Sequence, residues 1–338
     1  MCRPMRKGWI LLLGLVFWGW PDGVNAAGHL LFFEAQGIAG YGSQLEKPLY
    51  YSMSPEAEMQ KPSIGFDYLK RFSGETGDWG TFALQARLAL TVNGEEGPNH
   101  FKGEPQIYNA YFKWRTPGPY FWIGHNRPAF GLSSYFDSHG LLLRTLAVQG
   151  FGYDRDWGIG GYKDFPWGDI SASLTTGSGM PLYFDRDSYM ISGRFSYGVL
   201  SRDNFTLGVS LGYGNTLDTM GFDLRNPEPQ KMALGGMDLT ILRNNLEHRF
   251  DALAGQWLGK TTYALFYRLG INLDPEARLK VEAQPIFWKT GPEENYQVSL
   301  GLSATATSNL TIRFMYNYNH KQEDHRVLLQ WYYYLPIL

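Results

Sequence analysis

The chain is poor in cysteine, in long apolar runs and in any excess of one charge. Its only cysteine is Cys2. A single thiol cannot build a disulfide framework, a multi-cysteine metal site or a Cys-x-x-Cys-His haem attachment. Lys and Arg number 30 against 32 Asp and Glu, for a formal net charge of −2. No basic bias therefore points to nucleic acid. Past residue 26 no run approaches the ~18 uninterrupted apolar residues of a membrane helix. Mean hydropathy is −0.29, too polar for a helical membrane protein. What the chain has instead is aromatics, at 16%, with 22 tyrosines and 40 glycines. That is unusually aromatic for a soluble protein.

Residues 1–26 read as a secretory signal. Arg3, Arg6 and Lys7 make a positive start, Trp9 to Trp20 an apolar stretch, and Val24-Asn25-Ala26 a small-residue cleavage site. Its removal, with three positive residues and Asp22, takes the formal charge from −2 to −4. Residues 27–338 are then expected to form one domain.

Side chains in a strand alternate between faces, and such alternation recurs along the whole mature chain. Residues 80–93 show it most cleanly. Phe82, Leu84, Ala86, Leu88, Leu90 and Val92 share one side, and Gln85, Arg87 and Thr91 the other. Residues 106–115 set Tyr108, Ala110, Phe112 and Trp114 against Asn109, Tyr111, Lys113 and Arg115. Residues 261–273 set Tyr263, Leu265, Tyr267, Leu269 and Ile271 against Arg268 and Asn272, whereas 246–257 are poorly patterned. Pro285 predicts a bulge or a break in its ladder.

About sixteen such segments follow one another, each near the ~9–11 residues a tilted strand needs to cross a bilayer. Short connections such as Thr116-Pro-Gly-Pro119 and Asn244-Asn245 alternate with longer ones, notably 42–62, 94–105, 126–155 and 214–230. The exception is the short Leu258-Gly-Lys260. An even strand count with short turns facing long loops is the pattern of an outer-membrane barrel, with both termini on the periplasmic side. Sixteen apolar faces exceed the core of a two-layer sandwich, and no blade repeat suggests a propeller. The fold predicted is all-β: a transmembrane antiparallel β-barrel, apolar side chains toward lipid and charged ones toward water.

A sixteen-stranded barrel encloses more volume than its side chains fill. The connection 126–155, the longest, follows the fifth strand and carries Leu141, Leu142, Leu143, Leu146 and Val148. Folded into the lumen, those residues would pack on the wall and leave polar groups at a constriction.

The strand count and this loop resemble the general porins. The run Ala110-Tyr-Phe-Lys-Trp114, through Pro117-Gly-Pro-Tyr-Phe-Trp-Ile-Gly-His-Asn-Arg-Pro128 to Ala129-Phe-Gly131, is similar to a segment of phosphate-selective (O and P type) porins. In those proteins two alternating strands lead through Pro-Phe-Gly into the third loop. Here Ala129 separates Pro128 from Phe130-Gly131, and Leu338 stands where barrels commonly end in Phe or Trp. The resemblance implies passive diffusion of small hydrophilic or anionic solutes, a barrel wall against outer-membrane lipid, and a homotrimer or a monomer.

On this facing the lumen carries Arg87, Lys113, Arg115, Arg194, Arg249, Arg268, Lys280, Arg313 and Arg326 against Glu34, Asp238, Glu247, Asp251 and Glu282. The cationic excess predicts a mild anion preference. The loop adds Arg127, Arg144 and Arg155, with Asp137, Asp154 and His139, as constriction candidates. No cofactor, metal or enzymatic role is expected. Gly255 to Thr261 has one residue too few between its glycines for a phosphate loop. Adjacent residues such as Asp137-Ser138-His139 rarely make a triad. The alternative is a barrel sleeve around a periplasmic or multihaem-cytochrome partner, which an unobstructed lumen would favour. If the barrel reading is right, the refolded mature chain needs detergent and gives a strand-dominated circular dichroism spectrum. A helical or freely soluble product would refute it.

Overall fold

The computed structural model describes residues 28–51, 60–75, 77–92, 101–185 and 187–338. The expected signal segment, Cys2 included, lies outside them. Along the first half run β1 (His29–Gly42), β2 (Lys47–Leu49), β3 (Ser63–Gly74), β4 (Gly77–Val92), β5 (Phe101–Arg115), β6 (Tyr120–Asn126), β7 (Asp156–Phe165), β8 (Gly168–Thr175) and β9 (Tyr189–Tyr197). The second half holds β10 (Phe205–Met220), β11 (Asp223–Arg243), β12 (Leu246–Trp257), β13 (Lys260–Asn272), β14 (Leu279–Thr290), β15 (Glu293–Thr305), β16 (Leu310–Asn319) and β17 (Asp324–Pro336). The three-residue β2 pairs only with the end of β1. The other sixteen strands pair antiparallel in chain order, and β1 hydrogen-bonds both β3 and β17, so the sheet closes.

Closure leaves the outer face to lipid and the inner one to the lumen. Outward residues are apolar and exposed: Ile64, Val209, Leu211 and Leu265, with Leu211 at 69%. Aromatics ring both ends of this belt, with Trp114, Phe195 and Tyr197 toward the short turns and Tyr41, Tyr263 and Tyr296 toward the loops. This is the arrangement of two interfacial girdles. The start of β1 and the C-terminal residue lie together at the turn end, where the Leu338 N–H donates to the Leu31 carbonyl at 3.2 Å. The predicted inversion, apolar outside and charged inside, holds.

Four local features depart from or refine the sequence reading. Tyr108 does not share the outer face of Ala110, Phe112 and Trp114. The register shifts by one between Gln85–Asn109 and Ala86–Ile107, so Tyr108 is the extra residue of a bulge. It turns inward and is 1% exposed. Residues 214–230 are not an irregular loop: β10 and β11 run on to a tip at Gly221 and Phe222. There Phe222 packs with Tyr108, Val148 and Met180, folding the tip over the mouth. Likewise β5 already begins at Phe101, inside the expected connection 94–105. Pro285 interrupts the β13–β14 ladder without shifting it, since pairing resumes in register after Phe266–Ile286 at Leu269–Ala283. A proline has no N–H to donate.

The loop between β6 and β7 enters the lumen. Inward residues of β9–β14 change character along the strands: Arg249 and Asp251 near the turns give way to Leu253 and Trp257, and Arg268 gives way to Phe266. Against this apolar stretch pack Phe130, Leu132, Leu146, Phe151 and Tyr153 of the loop. Across the bore Leu142 and Leu143 meet Ile38, Met315 and Leu328. Glycines make the seats. A Cβ on Gly212 would lie 3.3 Å from the Phe130 ring, and one on Gly301 would lie 3.0 Å from Leu143 Cδ1. Leu146 is fully buried in the larger contact. Leu146→Ala is expected to cost about 2–5 kcal/mol of local packing. The barrel should survive while tryptic cleavage after Arg144 accelerates, as followed by gel and mass spectrometry.

Candidate functional site

Polar anchors spaced around the wall fix the loop's path. The Ala129 N–H donates to Ser173 Oγ at 3.1 Å and the Gly131 N–H to Ser210 Oγ at 3.2 Å. The Tyr135 hydroxyl lies 2.8 Å from Thr240 Oγ1. The loop then crosses to β1, where His139 Nε2 sits 2.8 Å from Glu34. From there it returns along the far wall. Arg313 donates to the Gly140 carbonyl at 2.9 Å, Arg268 to that of Leu143 at 3.1 Å, and Gln284 to that of Arg144 at 2.9 Å. A single helical turn, Leu146–Gln149, is capped by Thr145, whose Oγ1 accepts from the Val148 N–H. The chain therefore crosses the lumen rather than hanging outside it.

At the root of the loop the charges fold onto one another. Arg127 lies 2.7 Å from Asp137, and Arg155 reaches Asp137 at 3.3 Å and Asp154 at 3.1 Å. The Tyr108 hydroxyl donates to Asp154 at 2.7 Å, and its ring lies under the Arg155 guanidinium at 4.5 Å. The inward bulge of β5 thus supplies the floor for Arg155. Burial raises the Asp137 carboxyl, but Arg127 and Arg155 outweigh it and hold the group down at about 2. The neighbours Asp137, Ser138 and His139 diverge: Ser138 donates to Asp154, while His139 meets Glu34.

Two cavities flank the loop. The turn-side one, about 480 Å³, is lined by Lys113, Arg127 and Arg194 together with Asp137, Asp164 and Asp169. Among the described residues the loop-side one, about 330 Å³, is lined by Arg144, Arg225, Lys321 and Arg326 with several amides and no carboxylate.

No family model matches the chain, and no curated protein matches its sequence. Solved structures do match. An anion-selective porin from Comamonas acidovorans superposes with a TM-score of 0.58 at 11% identity, covering 91% of this chain and 99% of that one. OmpF of Salmonella typhi, in complex with daunomycin, gives 0.64 at 9%, covering 91% and 97%. The trimer form of OmpT, an outer membrane protein of Vibrio cholerae, gives 0.59 at 9%, covering 93% and 100%. This is the porin fold.

Within that fold the candidate lining and constriction residues separate by where their side chains end. Lys113, Arg127, Asp137 and Arg194 border the turn-side cavity, and Arg144 the loop-side one. Arg194 is bound bidentate by Asp238 at 2.9 and 2.8 Å and also approaches Asp169 at 3.5 Å. Lys113 donates to the Tyr162 hydroxyl at 3.3 Å. His139 and Arg313 hold the loop to the wall, as described. Arg155 and Arg268 do not reach open water, at 0% and 1% exposure: both guanidiniums are spent on holding the loop. Arg87 is buried beside Gln106, to which it donates at 2.8 Å. Arg115 is no constriction residue, because it stands exposed at the turn rim over the Tyr120 ring.

Facing alone could not separate lining arginines from these ties, since both kinds point inward. It also missed Asp164 and Asp169, which sit at a tight turn, and Arg225, which lies on the arm expected to be a loop. Replacing Asp137 with Asn should release Arg127 and move the reversal potential under a KCl gradient toward anions. A carboxyl whose folded value is depressed contributes fully above its ordinary 3.8 and loses that contribution as pH falls through about 2. The difference from wild type should therefore persist down to about pH 4, be roughly halved near pH 2 and vanish below it.

Proposed function

We propose that the protein is an outer-membrane channel through which small hydrophilic solutes diffuse passively, with a mild preference for anions. One observation carries this reading: the inserted loop narrows the lumen without filling it, leaving a polar cavity on each side. A channel of this kind selects by the groups at its narrowing. Among the described residues the turn-side cavity balances three cations with three carboxylates, whereas the loop-side cavity presents four cations and no carboxylate. Anions entering from the loop side therefore meet attraction first. The fold neighbour from Comamonas acidovorans is described as anion-selective, which accords with this preference.

A sleeve around a cytochrome is less well supported, because such a partner needs an unobstructed bore. Here the loop crosses the lumen from Ser173 and Ser210 to Glu34. The neighbour from Vibrio cholerae is described in a trimer form, and a homotrimer is the assembly we propose for this chain. The local similarity to phosphate-selective porins finds no basic ladder to sustain it.

Planar-bilayer recording of the refolded protein should show open channels of modest anion preference. Arg127→Glu with Arg144→Glu should turn that preference toward cations. A protein that inserts without conducting, or an unchanged reversal potential in the double variant, would refute the reading.

A further inference from the structure

We propose that the turn-side cavity is a binding station for small zwitterions of the amino-acid class. The proposal deepens the channel reading and rests on it for its biological sense. Among the described residues the lining brings three cations and three carboxylates to one space, and most of them already answer one another. Arg127 is closed by Asp137 at 2.7 Å. Arg194 is closed by Asp238 at 2.8 Å and reaches Asp169 at 3.5 Å. Lys113 and Asp164 are left. Lys113 spends one of its three donors on the Tyr162 hydroxyl at 3.3 Å and makes no ion pair among the described residues. Asp164, exposed at the end of β7, makes neither an ion pair nor a hydrogen bond among them. Each feels the other's charge across the cavity, yet the two do not touch.

The surroundings of each group call for its opposite. Asp164 stands directly across from Asp169 in the β7–β8 pairing, and like charges so placed repel. Arg194 relieves Asp169, whereas no described cation contacts Asp164. An ammonium placed there would ease that repulsion. Lys113 has the reverse need. It shares its strand face with Arg115, two residues on, and also feels the charge of Arg127. A carboxylate placed there would be drawn by all three. The Lys113 ammonium is already positioned, with its Nζ 5.2 Å from the Tyr162 ring centre and 5.9 Å from that of Tyr111. Such ring contacts fix a cation without neutralising it. A simple anion would gain Lys113 but meet the two carboxylates, and a simple cation would gain Asp164 but meet the basic side. A solute with one charge of each sign satisfies both ends. At about 480 Å³ the space lies within the usual ~300–1,000 Å³ of ligand pockets. Trp122, Pro128 and Ala129, all buried, give it an apolar flank on which an aliphatic side chain can lie.

The test is isothermal titration calorimetry on the full refolded barrel in detergent, with alanine, propionate and ethylamine as probes. Propionate keeps the carboxylate of alanine and ethylamine keeps its ammonium, so each presents one end alone. Alanine should bind about tenfold more tightly than either. Lys113→Gln should leave alanine no better than ethylamine, and Asp164→Asn should leave it no better than propionate. Each variant should cost alanine about tenfold, or ~1.4 kcal/mol. Alanine that binds no tighter than propionate or ethylamine in the wild type, or does not bind, would overturn the proposal. So would variants that bind alanine like wild type. Heat-modifiable mobility on gels checks that the variants are folded. Calorimetry needs no conduction, so the same preparation recorded in KCl separates the two readings. Current without alanine binding defeats the station alone, and binding without current defeats the channel alone.

Discussion

Hydrocarbon offers a backbone amide nothing to bond, and this barrel answers that constraint where β1 meets β17. Eleven residue pairs, from Phe32–Pro336 to Gly42–Arg326, join the first strand to the last and remove the last free edge. Once the ladder is complete the outward side chains need only be apolar, and the outer belt of Ile64, Val209, Leu211 and Leu265 follows. The inward ones are under a different demand. Sixteen strands enclose more volume than their own side chains can occupy, so the interior must be hydrated, filled, or both.

The protein does both, and divides the interior by chemistry. Where the inner wall carries Glu247, Arg249 and Asp251, charge remains, and Asp251 accepts from the Leu132 N–H of the loop. Where the same strand goes on to Leu253 and Trp257, the lumen loop supplies Phe130, Leu132 and Leu146, and the contact is dry. Inward arginines follow this division. Arg194 stays at the edge of the water, though tied to Asp238. Arg268 and Arg155 are enclosed and act as clamps on backbone carbonyls and carboxylates. Much of the cationic count of the lumen is therefore consumed in holding the loop, and selectivity is left to the few groups that border open space.

Strand order, facing and the inserted loop were legible because alternation is a local property and the leucines of 141–146 had no reason to be in water. The bulge at Tyr108 was not: its neighbours Asn109 and Ala110 alternate properly, and the extra residue shows only when β5 is laid against β4. The poor patterning of 246–257 did carry information. Its inward side passes from charged to apolar within one strand, which marks where the wall stops meeting water. The arm of β10 and β11 was read as part of the connection 214–230, which carries Asn215, Asp218 and Asn226. In the fold they pair across a hairpin that projects past the lipid, where polar side chains on both faces are no penalty.

The apolar arc inside the barrel has a consequence for anyone who would widen it. Excising the loop would bare Leu253, Trp257, Phe266 and Ile286 to the bore. Apolar side chains now sealed against the loop would then face water and forfeit the burial that stabilises this stretch of wall. The loop that narrows the passage is also what shields that arc from it.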